Sequence, residues 1–222
     1  MLDHHEFYIT LIRHGQSEVN VNPDLMGQEA TTPLTDFGRN QAKALHLRLQ
    51  EQHTVFDYIY SSDYVRALDT AKIVKGDTPQ EIILAPELRE YSAGNWTGAS
   101  RKDTLTLPVL LRMGVMNQGF LPPNGESLHQ VERRAARWLE ETILYNKDMI
   151  AASRIGRADG NPINIACFSH GMTIKCLLHY VLGFDQSMTW KVTIENTSIS
   201  KLYFGKEGWR LISINDCAHL GY

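Results

Sequence analysis

The chain has 222 residues, 43% hydrophobic and 21% charged, with 22 Lys plus Arg against 25 Asp plus Glu for a formal charge of -3. That balance fits a packed soluble domain rather than a disordered or coiled-coil chain, and it excludes a broad nucleic-acid-binding face while leaving room for a small cationic pocket. Three scattered cysteines (Cys167, Cys176, Cys217), no Cys-x-x-Cys or His-Glu-x-x-His string, a polar start at Met1–Glu6 and no long apolar run point to a reduced, cytoplasmic protein with no disulfide framework, zinc site or membrane segment.

Phe7–Ile12 is a short apolar, β-rich run that ends at Arg13-His14-Gly15. Thr35-Asp36 then reads as the cap of a helix whose apolar stripe is Ala42, Leu45 and Leu49. Tyr58–Tyr60 is a second strand, and Ser62 or Asp63 is placed to cap a following helix that carries Arg66 in its first turn. Ile82–Leu84 is a third strand, after which Glu90 is positioned to project into a site while Glu87 and Arg89 read as surface charges. Residues 92–126 break the rhythm with Gly94, Gly98, Gly114, Gly119, Pro108, Pro122 and Pro123. They fit either a lid-like insertion with some helix or an ordinary long connection.

Ser127 and Gln130 offer a capping box for a helix with the stripe Leu128, Val131, Ala135, Trp138, Leu139 and Thr142. Arg133, Arg134 and Arg137 are assigned to its solvated face, with the holding of an anionic substrate by one of them as the alternative. Ile163–Phe168 is a fourth strand leading through Ser169-His170-Gly171 into a helix with Ile174, Leu177, Leu178 and Val181, closed by Gly183. Ser198–Phe204 and Trp209–Ile214 flank Gly205–Gly208 as an antiparallel hairpin. Strands alternating with helices imply a three-layer α/β/α sandwich with a mostly parallel central sheet and the hairpin at one edge, built as one domain over residues 1–222.

Ligands in such sheets gather at the carboxyl ends of the strands. His14 and His170 both sit there, each before a glycine that permits close backbone approach. Either histidine alone is explained by a turn residue with a satisfied hydrogen bond, and Arg66 alone by a surface pair with Asp63 or Asp69. Together with Arg13 they describe a phosphate site: guanidiniums match phosphate oxygens bidentately, a neutral imidazole is a competent nucleophile, and a carboxyl such as that of Glu90 can serve as general acid.

These blocks resemble the histidine phosphatase superfamily, the phosphoglycerate mutase-like family. The matching stretches are Leu11–Asn20, Pro33-Leu34-Thr35, Gly38, Gln41-Ala42, Ser61-Ser62 with Arg66-Ala67 and Thr70-Ala71, Leu88-Arg89-Glu90 with Gly94–Gly98, Gly125-Glu126-Ser127 and Ser169-His170-Gly171. The resemblance implies that His14 attacks phosphorus and carries a phosphohistidine, and that Arg13, Arg66 and His170 hold the phosphoryl oxygens. It also implies that Asn20 donates to the phosphate and that Glu90 protonates the leaving alkoxide and later activates water. Ser17 shares the loop and either touches the phosphate or shapes the turn, while Gly27 and Gln28 form part of the rim.

The leading expectation is a metal-independent phosphatase of the family's phosphatase branch, acting on a small phosphate ester with no cofactor. A cofactor-dependent phosphoglycerate mutase ranks second. A non-catalytic phospho-ligand binding protein ranks last, because His14, Glu90 and His170 are all present. Partnership is expected with neither nucleic acid nor membrane, and monomer and homodimer both stay open. Residues 94–127 decide the substrate: the basic Arg101, Lys102 and Arg112 would suit a second anionic group, and an apolar wall with Trp96 and Phe120 an aromatic or nucleotide-like ester.

Overall fold

The computed structural model describes residues 5–22, 24–27, 29–154, 161–185 and 187–221, and within them six strands form one sheet. The strands are β1 (Phe7–Arg13), β2 (Tyr58–Ser61), β3 (Ile82–Leu84), β4 (Ile163–Ser169), β5 (Ile199–Gly205) and β6 (Gly208–Asp216), in the spatial order β3-β2-β4-β1-β5-β6. The β1/β4, β2/β4 and β2/β3 pairs are parallel, whereas β5 and β6 close the sheet antiparallel at one edge, as the sequence predicts.

The helices are α1 (Asp36–Glu51), α2 (Val65–Lys75), α3 (Arg101–Thr104), α4 (Leu107–Met116), α5 (Leu128–Trp138), α6 (Lys147–Arg154), α7 (Gly171–Leu182) and α8 (Met188–Lys191). Strand alternation sorts them into layers, because successive side chains point to opposite faces. Phe7, Ile9, Leu11, Ile163, Ile165 and Cys167 pack under α5 and α7, against Ala135, Trp138, Ile174 and Leu177. Ile12, Ala166 and Phe168 face the other way, against Ala42 and Leu45 of α1 and Ala71 and Val74 of α2. The result is a helix-sheet-helix sandwich with β1 and β4 buried on both faces.

Three local expectations hold in detail. Thr35 caps α1 by accepting from Gly38 N, both halves of the Ser127/Gln130 box form, and Gly183 ends α7 in the left-handed conformation at φ 63°. Two others are corrected. Tyr64, not Ser62 or Asp63, is the cap residue of α2 and offers no side-chain bond; the Ser62 hydroxyl instead accepts from Tyr64 N at 3.3 Å. After α5 the chain widens into a π-helical turn, Leu139–Leu144. Winding at five residues per hydrogen bond rotates the buried face, so Ile143 enters the core in place of the expected Thr142.

The register of the central pair sets the place of the site. Arg13 lies opposite Ser169, so β1 and β4 end level and His14 N donates to Ser169 O at 3.0 Å. Ser62 N donates to Phe168 O at 2.9 Å, which brings the end of β2 to the same line. Residues 92–126 are largely helical, comprising a 3-10 turn at Gly94–Trp96, α3, α4 and a second turn at Asn117–Gly119.

Candidate active site

His14, Arg66 and His170 are each 0% exposed, and they meet at the carboxyl ends of β1, β2 and β4. The His14 ring Nδ1 sits 2.7 Å from the carbonyl of Gly15, an acceptor, so Nδ1 carries the proton and Nε2 keeps its lone pair. Arg66 Nε donates to that Nε2 at 3.3 Å. Burial first, then the positive charges of Arg66 and Arg13, hold the His14 imidazole well below its ordinary value of 6.5, against a smaller opposing effect of the Gly15 carbonyl.

His170 lies beside it, with ring centroids 5.1 Å apart. Its Nε2 pairs with the Ser62 hydroxyl at 2.9 Å, and its Nδ1 has no partner. Burial, followed by Arg66, His14, Arg13 and Arg134, pushes this imidazole well below its ordinary value too. The Tyr64 ring meets His170 edge-on at 5.4 Å and carries the Arg66 guanidinium over its face at 5.1 Å.

Arg66 is not paired to a carboxylate. Its Nη1 donates to Glu29 O at 2.8 Å, and its Nη2 is buried without a partner. Asp63 is taken instead by Arg89, whose Nε donates at 2.7 Å, and Asp69 lies with Arg39 and Lys72. Burial lowers the Arg66 guanidinium to about 10, opposed by Glu90, so it is cationic at neutral pH. Arg13 Nη1 donates to Ile194 O at 2.7 Å, while its Nε is a second buried nitrogen without a partner. Three buried nitrogens of the site thus stand without partners, and the two on guanidiniums are donors that an incoming anion would satisfy.

Glu90 arrives from beyond β3. Its carboxylate accepts from Tyr91 N at 2.9 Å and, at the start of α7, from Met172 N and Thr173 N at 3.3 Å each. Its negative charge acts on both Arg13 and Arg66. Ser17 and Asn20 belong to one turn: Asn20 Oδ1 accepts from Ser17 N at 3.0 Å and Ser17 Oγ at 3.1 Å. Ser17 therefore shapes the loop. Asn20 has its oxygen committed inward, so its amide nitrogen is the end left to meet a ligand. Gly27 takes a positive φ of 67°, and a Cβ there would meet Ala93 and Thr97, each at 2.9 Å. Its role is to let loop 24–27 pack against loop 93–98. Gln28 lies outside the described residues.

Four further contributors escape sequence reasoning. Asn196 Nδ2 donates to His14 O at 2.9 Å and to Asn20 Oδ1 at 3.3 Å, joining the β5 approach to the histidine loop. Thr70 Oγ1 accepts from Gly15 N at 3.0 Å and donates to Arg66 O at 2.7 Å. Ser62, a cap candidate from the sequence, serves as the partner of His170. Arg134 leaves the solvated face assigned to it: it donates to both oxygens of Glu126, at 2.8 and 3.0 Å, and to Glu90 O at 3.2 Å, clamping the Glu90 segment to α5. The sequence carries no local signal for these, because each acts on a partner far along the chain. His219 pairs with the Thr197 hydroxyl at 2.9 Å, a structural contact behind the site.

Residues 9–217 match the family model of the histidine phosphatase superfamily (branch 1). The chain belongs to this superfamily. One relative, named "Probable phosphoglycerate mutase GpmB" in Yersinia enterocolitica, is 27% identical over 219 residues, covering 96% of this chain and 94% of that protein. Among solved structures, a mutant phosphoserine phosphatase from Entamoeba histolytica in complex with phosphoserine superposes with a TM-score of 0.78 at 26% identity, over 96% of this chain and 99% of that one. The alpha-ribazole phosphatase from Shigella flexneri gives 0.77 at 25% identity, over 95% and 96%. Members with phosphatase names and members with mutase names therefore both flank this histidine phosphatase superfamily chain.

Among the described residues, no helix is long and apolar enough to cross a membrane, and no group of three or more His, Cys, Asp or Glu side chains is arranged to hold a metal ion.

Proposed function

We propose that the protein hydrolyses small phosphate monoesters through a phosphohistidine on His14. The observation that carries this reading is the buried His14 imidazole, its Nδ1 proton committed to Gly15 O and its Nε2 facing cationic groups with unpartnered nitrogens. Substrate phosphate would take over Arg66 Nε from His14 and meet Arg66 Nη2, Arg13 Nε and His170 Nδ1, with Asn20 adding its amide. Fixed positive charge would then stand where charge develops, the largest usual contribution to such catalysis.

In the first half-reaction Glu90 enters as the carboxylic acid: the Nε2 lone pair forms a bond to phosphorus as the ester P–O bond breaks, and the departing alkoxide takes the Glu90 proton. The Gly15 carbonyl stabilises the positive charge that builds on the ring. In the second, Glu90 takes a proton from water, the water oxygen bonds to phosphorus, the P–N bond breaks, and the imidazole is restored. The charge that a metal would supply is present in two guanidiniums, so turnover is expected to survive excess chelator.

A mutase is the second reading, favoured by the names of the curated relatives. Acid-labile, base-stable phosphate on His14 after incubation with p-nitrophenyl phosphate, followed by release of inorganic phosphate, supports hydrolysis. Conversion of 3-phosphoglycerate with 2,3-bisphosphoglycerate, without phosphate release, would replace it with the mutase reading. Wild-type turnover by His14→Ala would defeat both.

A further inference from the structure

A cavity of about 440 Å³ opens beside the carboxylate of Glu90 and the amide of Asn20. Its size lies within the range of pockets that enclose whole drug-sized molecules, well beyond the needs of a three-carbon acid. Apolar side chains make most of its wall, among them Met26, Trp96, Leu105, Met113, Phe120 and Leu128. The Trp96 and Phe120 rings stack at 5.6 Å between centroids with 27° between planes, forming one continuous aromatic surface. Among the described lining residues only Glu90 and Arg101 are charged. Glu90 is held by backbone donors at the start of α7, and Arg101 lies on the exposed rim.

Polar atoms are present in the wall on Asn20, Asn22, Tyr91, Arg101 and Asn117, but a carboxylated or polyhydroxyl alcohol entering this space would still shed much of its water against Trp, Leu and Met side chains, a costly exchange. An apolar alcohol gains by the same transfer, and an aromatic one gains further from stacking. We infer that the alcohol portion of the substrate is an apolar, aromatic-sized group seated in this cavity, not the compact carboxylated alcohol of phosphoserine or phosphoglycerate. The inference rests on the phosphomonoester reading of the site. It also explains residues 92–126, since Trp96, Leu105, Met113 and Phe120, four of the wall residues, come from this one segment.

Binding and turnover test the two readings separately. Calorimetry with 3-phenylpropylphosphonate and methylphosphonate, which cannot be hydrolysed, reads the cavity alone. One well-placed methylene in an apolar pocket is worth about 10-fold or more, so the phenylpropyl compound is expected to bind at least about 100-fold tighter. Trp96→Ala should cut that preference at least tenfold while leaving methylphosphonate affinity within about threefold. Met113→Glu, on the part-exposed side of the wall, should do the same without opening the buried core.

Equal affinity for the two phosphonates, or a uniform loss for both in the variants, overturns the inference. In turnover, 3-phenylpropyl phosphate, glycerol 3-phosphate, phosphoserine and 3-phosphoglycerate are all primary-alcohol esters, so leaving-group chemistry varies little. A kcat/KM for either carboxylated ester equal to or above the phenylpropyl ester also overturns it. Preferential phenylpropylphosphonate binding with no hydrolysis of any ester would uphold the cavity assignment and reject the hydrolase reading.

Discussion

Arg66 Nε donates to the unprotonated Nε2 of His14 at 3.3 Å, with both side chains fully buried. The cation thus guards the lone pair that in the proposed reaction would attack phosphorus, and it lowers the proton affinity of that nitrogen. One side chain both keeps the proposed nucleophile neutral and, in the proposed reaction, would receive the phosphoryl oxygens.

Replacing Arg66 with Lys keeps the charge but loses the planar fork that reaches His14 and Glu29 O together. The expected cost is about 10²–10³-fold in the rate of His14 phosphorylation, the usual effect of removing one preorganised donor. Rapid-quench measurement of phosphoenzyme formation checks this. A rate within threefold of wild type would show that Arg66 serves packing alone.

Folded His14 and His170 bind protons less readily than in the unfolded chain, where the ordinary value is 6.5. The sign follows from linkage: below that pH the unfolded chain takes up protons that the folded chain refuses. Stability is therefore full above about pH 6.5 and falls as pH drops below it, by up to about 1.4 kcal/mol per pH unit for each histidine. Urea unfolding of the ligand-free protein at pH 7.5, 6.0 and 5.0 measures the slope. The His14→Gln/His170→Gln variant should show a shallower loss across that window, and an identical slope would refute the assignment.

Glu90→Gln should lower kcat for alkyl phosphates by about 10²–10⁴-fold, because both the departing alkoxide and the attacking water lose their proton partner. p-Nitrophenolate leaves without protonation, so its release in the first half-reaction should be nearly unaffected. Stopped flow is then expected to give a burst of nitrophenolate stoichiometric with enzyme, followed by slow turnover. A steady rate without a burst, slowed equally for both ester types, would contradict the assignment to two proton-transfer steps.

The glycines after the two histidines are not equivalent. A Cβ on Gly15 would stand 2.5 Å from Gly38 O, and one on Gly38 would collide with Gln16 O. These are backbone atoms that cannot turn aside, so Gly15→Ala and Gly38→Ala should each destabilise the fold by about 1–3 kcal/mol. The three atoms nearest a Cβ on Gly171 all belong to the Arg13 side chain, the closest being Nε at an ordinary 3.5 Å. Gly171→Ala should change stability by less than about 1 kcal/mol. Urea midpoints of the three variants decide between these outcomes, and equal losses would reject the distinction.

Much of the architecture is legible in the sequence because it is local. The helix caps at Thr35 and Ser127, the end at Gly183 and the apolar strands each depend on residues within a turn or two of one another. Strand ends also announce where His14, Arg66 and His170 meet, since parallel strands in register finish on one line. Sequence and structure part where a distant partner outweighs a local rule. Arg134 sits at a position of helical periodicity that faces solvent, yet the carboxylate of Glu126 and the carbonyl of Glu90 draw it in. The π-turn at Leu139–Leu144 breaks the period that would carry Thr142 into the core.

By itself, then, the sequence determined the main strands and helices, their order, and which histidine, arginine and carboxylate side chains gather near the strand ends. Only the tertiary structure decided how those groups are held: which nitrogen of His14 carries the proton, which donors lack partners, that Asn196 reaches the His14 carbonyl across 182 residues, and that one face of the site is apolar. The physical reason is range. Periodicity and capping act over a few residues, whereas hydrogen-bond satisfaction and cavity shape depend on which distant segments the packed sheet brings together.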